Sequence, residues 1–332
     1  MLRAALAAPC AALACSDAGD VLGDAAAADA AIACPGAGPW AAAPPVRLGA
    51  TQETAAVALD GRIYVLGGFH IDLGVVPAVQ IYDTATCTWS PGPDLPRPVH
   101  HVNAAVVDGT IYVVGALADV SFEATGAVWA WTPSDPGGGW IERAPMPPGT
   151  ERGAAVAGAV SGTIVVAGGF RGGAAVADVS QYNSEADEWT RLLDLPRPRD
   201  HACGGFVAGT LYVVGGREGT IDSRAGTVYE QGPKGEWITR TPMPTPRGGA
   251  GCAVVGDRLI VVGGEGNPAT ATRVFAEAEA YVAGDDAWET LAPMPTPRHG
   301  MGAAAWDGRL YVPGGATHAG FAAVATHEVL TP

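Results

Sequence analysis

The chain of 332 residues is long enough for one large domain or two ordinary ones, and 48% of its residues are hydrophobic while 16% are charged. This balance excludes a disordered chain, because it supplies enough apolar surface for a core. The formal net charge of −15 argues against a surface for nucleic acid or anionic membranes. The 47 glycines and 27 prolines, without a collagen period, predict many tight turns between short strands.

The chain begins with an Ala- and Leu-rich segment, MLRAALAAPCAALAC, over residues 1–15. One arginine precedes a short apolar run and small residues lead to Cys15, so the segment resembles a bacterial export signal ending in a lipoprotein box. The resemblance implies a lipid on Cys15 as the membrane attachment, and an exported protein of the cell envelope or extracellular space. Residues 16–35 are predicted to be a flexible tether. The alternative is an Ala-rich tail on a cytoplasmic protein.

Six apolar segments recur along the rest of the chain, beginning with RIYVLGG and ending with RLYVPGG, and five of them end in a glycine pair. Their first glycines are 47 to 53 residues apart, an interval that indicates a repeat. The second copy has Gly115 followed by Ala116, and the sixth has Pro313 inside the apolar segment. The pairs are predicted to permit backbone angles and close packing that a side chain would block. They include Gly67, Gly68, Gly168, Gly169, Gly215, Gly216, Gly263, Gly264, Gly314 and Gly315.

Each apolar segment is preceded by a turn and by a run of small residues, such as TAAVAL or GAAVAG, which predicts an antiparallel hairpin. The runs of small residues are predicted to line a central channel, where large side chains would not fit. Six tryptophans follow the same rhythm at intervals of 48 to 51 residues and are predicted to pack between neighbouring repeats. They are Trp40, Trp89, Trp140, Trp189, Trp237 and Trp288.

A period near 50 residues with a glycine pair and a tryptophan resembles the kelch family. The matching residues are DGRIYVLGG, VQIYD at 79–83 and TW at 88–89, and the resemblance covers residues 36–332. It implies an all-β fold, a six-bladed β-propeller. Because Trp40 has no glycine pair before it and Gly315 has no tryptophan after it, residues 36–45 are predicted to supply the outer strand of the sixth blade and to close the ring.

The cysteines show no CxxC pair and no Cys/His cluster with zinc spacing. An exported protein could carry one or two disulfides. Cys34 and Cys87 each precede a repeat tryptophan, so their pairing across neighbouring blades is a hypothesis.

The kelch resemblance implies that ligands bind to loops on one face, at the mouth of the channel. Arginine recurs sixteen residues before the glycine pair in four repeats. These arginines could bind an acidic ligand, or they could bond turn carbonyls as part of each blade. Histidines and acids that break the repeat are more informative, although the histidines are expected to be turn residues rather than metal ligands. The candidate ligand-binding residues are Arg152, Arg199, Arg217, Arg247, Arg298, His101, His201 and Glu53, and nearby loop residues include His100, Asp200, Glu265 and His299.

These features predict a non-catalytic binding module that engages a protein or glycan, including an acidic one. The alternative is a sugar-active enzyme resembling the sialic-acid mutarotase or epimerase propellers, which would need an acid–base pair such as Glu53 with His101. A third possibility is a cytoplasmic interaction platform. No nucleophile-elbow, phosphate-loop or zinc-protease motif is present, so no cofactor and no metal are expected. The self-closed ring predicts a monomer without a nucleic-acid partner.

Overall fold

The computed structural model describes residues 34–332, and all regular secondary structure within this range is β. The predicted signal over 1–15 and nearly all of the predicted tether lie outside the described residues. None of the described residues forms a helix long and apolar enough to cross a membrane. The strands of the first half are β1 (Trp40–Ala43), β2 (Thr51–Gln52), β3 (Ala55–Leu59), β4 (Arg62–Leu66), β5 (Phe69–His70), β6 (Gly74–Val75), β7 (Val79–Asp83), β8 (Thr88–Pro91), β9 (Ala104–Val107), β10 (Thr110–Ala118), β11 (Glu123–Trp131), β12 (Ile141–Arg143), β13 (Val156–Val160) and β14 (Thr163–Ala167).

The strands of the second half follow the same order of short antiparallel elements. They are β15 (Phe170–Arg171), β16 (Ala174–Ala175), β17 (Val179–Asn183), β18 (Glu188–Arg191), β19 (Cys203–Val207), β20 (Thr210–Val214), β21 (Val228–Gln231), β22 (Trp237–Arg240), β23 (Gly251–Val255), β24 (Arg258–Val262), β25 (Ala278–Val282), β26 (Ala287–Thr290), β27 (Ala304–Trp306), β28 (Arg309–Pro313) and β29 (His327–Leu330).

Six four-stranded antiparallel sheets account for most of these strands. We number them in chain order: sheet 1 is β3-β4-β7-β8, sheet 2 is β9-β10-β11-β12, sheet 3 is β13-β14-β17-β18, sheet 4 is β19-β20-β21-β22, sheet 5 is β23-β24-β25-β26 and sheet 6 is β27-β28-β29-β1. Two small ladders, β2-β5-β6 and β15-β16, lie in the loops. The repeated antiparallel sheets are those of a propeller-type fold, as the resemblance implied.

The N-terminal strand β1 completes sheet 6, although it is about 290 residues away in sequence. Trp40 pairs with Leu330 and Ala43 pairs with His327, so β1 is the outermost strand of that sheet. This strand lies within the segment 36–45 that the phase of the repeats singled out. A disulfide joins Cys34 to Cys87, between β7 and β8 of sheet 1, which confirms the hypothesis for this pair. The segment is therefore held covalently to one sheet and by hydrogen bonds to another.

The first strands of the six sheets contact one another in a cycle. Each contacts the first strand of the next sheet, and β27 of sheet 6 contacts β3 of sheet 1. A cavity of about 160 Å³, which we call the central cavity, lies among them. Small side chains make this close approach possible, as the sequence predicted. The first-strand residues that line the cavity include Ala55, Ala104, Ala157, Gly204 and Cys252, and Ala303 lies directly before the first strand of sheet 6.

The repeat tryptophans connect neighbouring sheets. In all six cases the indole N–H donates to a backbone carbonyl one or two residues beyond the outer strand of the preceding sheet, at 2.7 to 3.1 Å. The large ring covers apolar surface while its single donor is satisfied, which is why tryptophan suits this place. The donor–acceptor pairs are Trp40–Ala292, Trp89–Pro44, Trp140–Pro93, Trp189–Ala144, Trp237–Leu193 and Trp288–Thr241.

The glycine pairs mark the closest backbone approach between sheets. Gly215 has φ of 66° and Gly216 has φ of 84°, a region that favours glycine. A Cβ on Gly215 would lie 2.8 Å from the carbonyl oxygen of Arg247, and the N–H of Gly216 donates to that same oxygen at 3.0 Å. In sheet 2 the pair is replaced by Gly115 and Ala116, and β10 continues past them with a register shift. That repeat therefore has a strand where the others have a turn.

Candidate functional site

A ring of six equivalent residues lines a cavity of about 120 Å³ that shares Val102, Ala155 and Ala202 with the central cavity. Each lies fourteen residues before the first glycine of its repeat and has φ between 49° and 64°. The N–H of each residue donates to the carbonyl oxygen of the equivalent residue in the preceding repeat, at 2.5 to 3.0 Å. The N–H of Glu53, in the first repeat, donates to the carbonyl oxygen of Gly300, in the last, and so completes the cycle. We call this set the mouth ring. Its members are Glu53, His101, Ala154, His201, Gly249 and Gly300.

Four of the six mouth-ring residues carry a side chain in a backbone conformation that favours glycine. A positive φ suits glycine and is uncommon for residues with a Cβ. The ring itself shows that the fold accepts small residues here, because Ala154, Gly249 and Gly300 occupy three of the six positions. Carboxylate and imidazole groups at the other three positions are therefore not required by the backbone. Such groups on strained backbone are characteristic of functional sites.

Glu53 and His101 form the closest pair of functional groups in the ring. His101 Nε2 lies 3.0 Å from Glu53 Oε2, and both side chains are largely buried. Burial alone would raise the pKa of Glu53, but the positive charge and hydrogen bond available from His101, together with His299 and His201, hold this pKa well below its usual range. The imidazole of His201 packs edge-on against that of His101, with ring centroids 4.8 Å apart. One ligand atom from each of Glu53, His101 and His201 lies within 4.8 Å of the others.

His201 is oriented by a buried ion-pair network beside the ring. Its Nδ1 lies 2.5 Å from Asp200 Oδ1 and 2.7 Å from Arg217 Nη2. Arg217 also donates from Nε to Asp200 at 3.1 Å and from Nη1 to Glu265. Asp200 accepts from a protonated Nδ1, whereas Arg217 Nη2 can only donate to an unprotonated one, so the two neighbours favour opposite tautomers of His201. Burial, followed by the nearby Arg217 charge, lowers the pKa of His201.

His299 brings a second buried imidazole against the same carboxylates. Its Nε2 donates to the carbonyl oxygen of His318 at 2.8 Å, which assigns the lone pair to Nδ1. That Nδ1 lies 3.6 Å from Glu53 Oε1 and 3.7 Å from Glu265 Oε2, and has no hydrogen-bond partner among the described residues. Glu265 Oε2 likewise has none. Two acceptors therefore face each other in a buried place without a donor between them.

Apolar side chains surround this polar cluster on the open side. A cavity of about 160 Å³ is lined by Glu53, His101, His201, His299 and Glu265, and also by Phe122, Ile221 and Phe321. A neighbouring cavity of about 340 Å³ shares Phe122 and Phe321 with it and adds Phe69, Ile71 and Val120.

Several apolar side chains in these loops are exposed to solvent. Phe321 is 68% exposed, Ile71 62%, Leu73 64% and Val120 78%. The ring of Phe69 lies beneath them, with its centroid 5.0 Å from that of Phe321 and 6.0 Å from that of Phe122. We call Ile71, Leu73, Val120 and Phe321 the apolar rim. The sequence indicated that the divergent loops 69–77 and 116–125 were informative, but the candidate residues predicted from it were charged residues and histidines, and none of the rim residues was among them.

The repeated arginines lie inside the sheets rather than on a rim. Arg152, Arg247 and Arg298 are among the largest fully buried side chains of the described chain. Arg152 donates to the carbonyl oxygens of Thr150, Gly168 and Val166 at 2.7 to 2.9 Å. Their guanidinium groups are therefore occupied by the turns and by the second strand, which is the structural role that the sequence had left open for them.

Arg247 and Arg298 pair with glutamates at equivalent positions on the third strands of sheets 5 and 6, whereas Arg152 donates to the Ser180 hydroxyl at the same position of sheet 3. Arg247 pairs with Glu279, and Arg298 Nη1 lies 2.9 Å from Glu328 Oε2. Burial is the largest influence on Arg152 and lowers the pKa of its guanidinium to about 10.

Arg199 and Arg217 are also held by carboxylates. Arg199 is 3% exposed and its Nη1 lies 2.6 Å from Glu218 Oε1, while Arg217 bridges Asp200 and Glu265. Of the arginines singled out from the sequence, Arg217 is the one that the structure brings to the mouth ring, where it lines the same cavity as Glu53, His101 and His201.

Comparison with known proteins agrees with the repeats. A family model described as the Kelch motif matches residues 51–96, 151–196 and 246–295. The chain is 35% identical over 315 residues to Kelch-like protein terF of Aspergillus terreus, covering 89% of this chain and 67% of that protein. It is 26% identical over 260 residues to human Kelch-like protein 23, covering 76% of this chain and 43% of that protein. The chain thus spans less than half the length of this human relative. On the strength of the repeats, the sheets and these relatives, the chain belongs to the kelch-repeat family.

Proposed function

We propose that this chain is a closed six-bladed propeller that binds a protein partner through the apolar rim and the mouth ring. The cyclic contacts among the first strands, the cyclic hydrogen bonds of the mouth ring and the tryptophan series support closure of the ring. Kelch-repeat proteins generally mediate protein–protein interaction, and the relatives are Kelch-like proteins. A propeller leaves only short, protected sheet edges for self-association, so we propose a monomer.

The apolar rim is the observation that carries the proposal. Six large apolar side chains of the described residues are at least 60% exposed, and four of them, Ile71, Leu73, Val120 and Phe321, belong to the rim. Three of these four line one cavity of about 340 Å³. Clustered exposed apolar side chains with a rigid base are typical of interaction sites, whereas scattered ones need no explanation.

A protein partner fits this surface better than an acidic glycan does. The expectation of an acidic ligand rested on arginines at the mouth, and Arg152, Arg247 and Arg298 are buried and hydrogen-bonded within the sheets. The polar groups that do reach the mouth are mainly carboxylates and imidazoles, which favour a partner that inserts an apolar or cationic side chain. The rim would supply the apolar contact that becomes buried on binding. The polar cluster beneath it would select which side chain of the partner can be inserted.

Export remains part of the proposal. The disulfide between Cys34 and Cys87 supports an oxidising compartment, because such bonds rarely persist in a reducing cytoplasm. Lipidation of Cys15 concerns residues outside the described range and stays a prediction from the sequence alone, as does the cytoplasmic alternative.

The test is a comparison of variants in a capture experiment. Immobilised wild type and the variant Phe321→Ser/Val120→Ser are exposed to the same extract, and captured proteins are identified and re-measured as purified partners by calorimetry. The matched control is Ile141→Ser, which removes an apolar side chain of 64% exposure on the outer strand β12. We expect the rim variant to weaken a partner's binding at least tenfold and the control to leave it unchanged. Equal binding by both variants would remove the rim from the account.

A sugar-active enzyme is the second candidate, favoured by the 3.0 Å contact between Glu53 and His101. The ionised Glu53 would act as the base and a protonated His101 as the acid. Proton–deuterium exchange at the ring carbons of N-acetylated and acidic sugars, lost in Glu53→Gln, would support it. No exchange by the wild type would exclude it for those sugars.

A further inference from the structure

We propose that Glu53, His101 and His201 bind one divalent transition-metal ion at the mouth ring, with His299 and Glu265 adjoining it. Two imidazoles and one carboxylate are a donor set that suits zinc and ferrous iron, and with three protein ligands the ion keeps open positions. This inference concerns a site beneath the apolar rim and does not depend on the identity of a protein partner.

The positions of the donor atoms fit a common ion. Two ligands bonded at about 2.1 Å lie about 3.0 Å apart when they subtend a right angle and about 3.4 Å apart at a tetrahedral angle. Glu53 Oε2 and His101 Nε2 are already 3.0 Å apart, and the widest separation in the set of three is 4.8 Å. The third ligand would therefore move inward by about 1.5 Å, a distance that side-chain rotation supplies.

The surroundings supply what such an ion needs. Asp200, Glu53 and Glu265 bring three carboxylates to the cluster, while Arg217 brings one guanidinium, so the cluster has an excess of negative charge when its imidazoles are neutral. Asp200 lies 2.5 Å from Nδ1 of His201, and the tautomer that donates to this carboxylate presents Nε2 as a lone pair. A carboxylate that orients a histidine in this way is the usual second partner of a metal ligand.

His299 provides an independent indication of a missing cation. This side chain is 1% exposed, and its Nδ1 has no donor although it lies 3.6 Å from Glu53 Oε1. Buried acceptors without partners are rare in folded proteins and call for a donor or a cation. A metal ion held by Glu53 would lie within reach of this nitrogen. The competing explanation is a proton on His299, and the experiment below separates the two.

The mouth ring also supplies variants that the fold accepts. Ala154 has the same repeat position and a φ of 51°, so His101→Ala and His201→Ala introduce a residue that another repeat already carries there. Glu53→Gln keeps the shape of the side chain and removes its charge. His70→Ala is the control, since this histidine lies outside the ring and bonds the carbonyl oxygen of Leu48.

The experiment is a metal titration of the full chain after treatment with a chelator. Zn²⁺ binding is measured by calorimetry, and Co²⁺ is added as a spectroscopic probe of coordination by nitrogen and oxygen. We expect one ion per chain in the wild type and in His70→Ala, and a loss of affinity of about 100-fold or more in His101→Ala and His201→Ala. Glu53→Gln should weaken binding as well, with unchanged circular dichroism in the metal-free state.

Two results would overturn the proposal. One is a wild type that shows no saturable binding of Zn²⁺ or Co²⁺ up to millimolar concentration, which would leave a proton on His299 as the explanation. The other is a metal affinity that stays within threefold of the wild-type value in all three variants, His101→Ala, His201→Ala and Glu53→Gln. This result would place any bound ion elsewhere.

Discussion

Replacing Arg247 with alanine tests whether the repeated arginines hold the blades or bind ligands. The Arg247 guanidinium donates to the carbonyl oxygens of Gly263, Thr245 and Val261 at 2.7, 2.8 and 3.0 Å and pairs with Glu279, whose side chain is 5% exposed. Removing one member of a buried ion pair costs about 3–5 kcal/mol, because the other charge is left without compensation. We therefore expect Arg247→Ala to lower the free energy of unfolding by about 4 kcal/mol at neutral pH.

Urea denaturation followed by tryptophan fluorescence measures this loss. The second variant, Arg247→Ala/Glu279→Gln, should recover part of it, since the lone carboxylate is then removed while the three carbonyls remain without their donor. Arg258→Ala is the matched control, because the pair between Arg258 and Glu289 is exposed and should contribute about 1 kcal/mol or less. The structural role would be refuted if Arg247→Ala kept a free energy of unfolding within 1 kcal/mol of the wild type but no longer bound its partner.

Three further predictions address acid stability, the disulfide and the glycine pairs. Burial lowers the pKa of His327 to about 3, so the unfolded chain takes up this proton first; stability should fall as the pH drops from about 6.5 towards 4, and urea midpoints should show a shallower fall in His327→Met. Cys34→Ala/Cys87→Ala opens a link across a sequence separation of 53 residues and should cost about 4 kcal/mol, whereas an unchanged midpoint would mean that the thiols are not paired in solution. Gly215→Ala would bring a Cβ against the Arg247 carbonyl and should cost about 2 kcal/mol or more in the same assay, while equal stability would show that the neighbouring sheets separate freely there.

Most of the fold could be predicted from the repeat in the sequence. The spacing of Trp40 before the first glycine pair identified the N-terminal segment as an outer strand, and β1 pairs with β29 in the structure. The reason is physical: a tryptophan with a single donor and a glycine pair with positive φ each satisfy a constraint that recurs in every blade. Such constraints leave a period in the sequence, and a period is readable from one chain.

The candidate site could be predicted only in part from the sequence, because its residues differ from one repeat to the next. Glu53, His101 and His201 were singled out as exceptions, but their shared position, fourteen residues before the glycines, was not recognised. That count could have predicted the mouth ring, since Ala154 and Gly249 align with them. The role of the arginines could not be predicted in this way, because a hydrogen bond to a turn that is repeated in each sheet and a contact with a ligand would both produce the same recurring residue. Phe122 and Phe321 are in loops of irregular length, where no period applies.

Site-specific photo-cross-linking is the most direct test of binding at the mouth of the propeller. A photoreactive phenylalanine analogue is introduced at Val120, which is 78% exposed in the apolar rim, and separately at Leu193, which is 60% exposed beyond the outer strand β18. The account predicts that a partner captured by the wild type cross-links at Val120 and not at Leu193. Cross-linking at Leu193 alone would place the binding surface on the outer edge of the sheets and contradict the assignment of the mouth as the functional site.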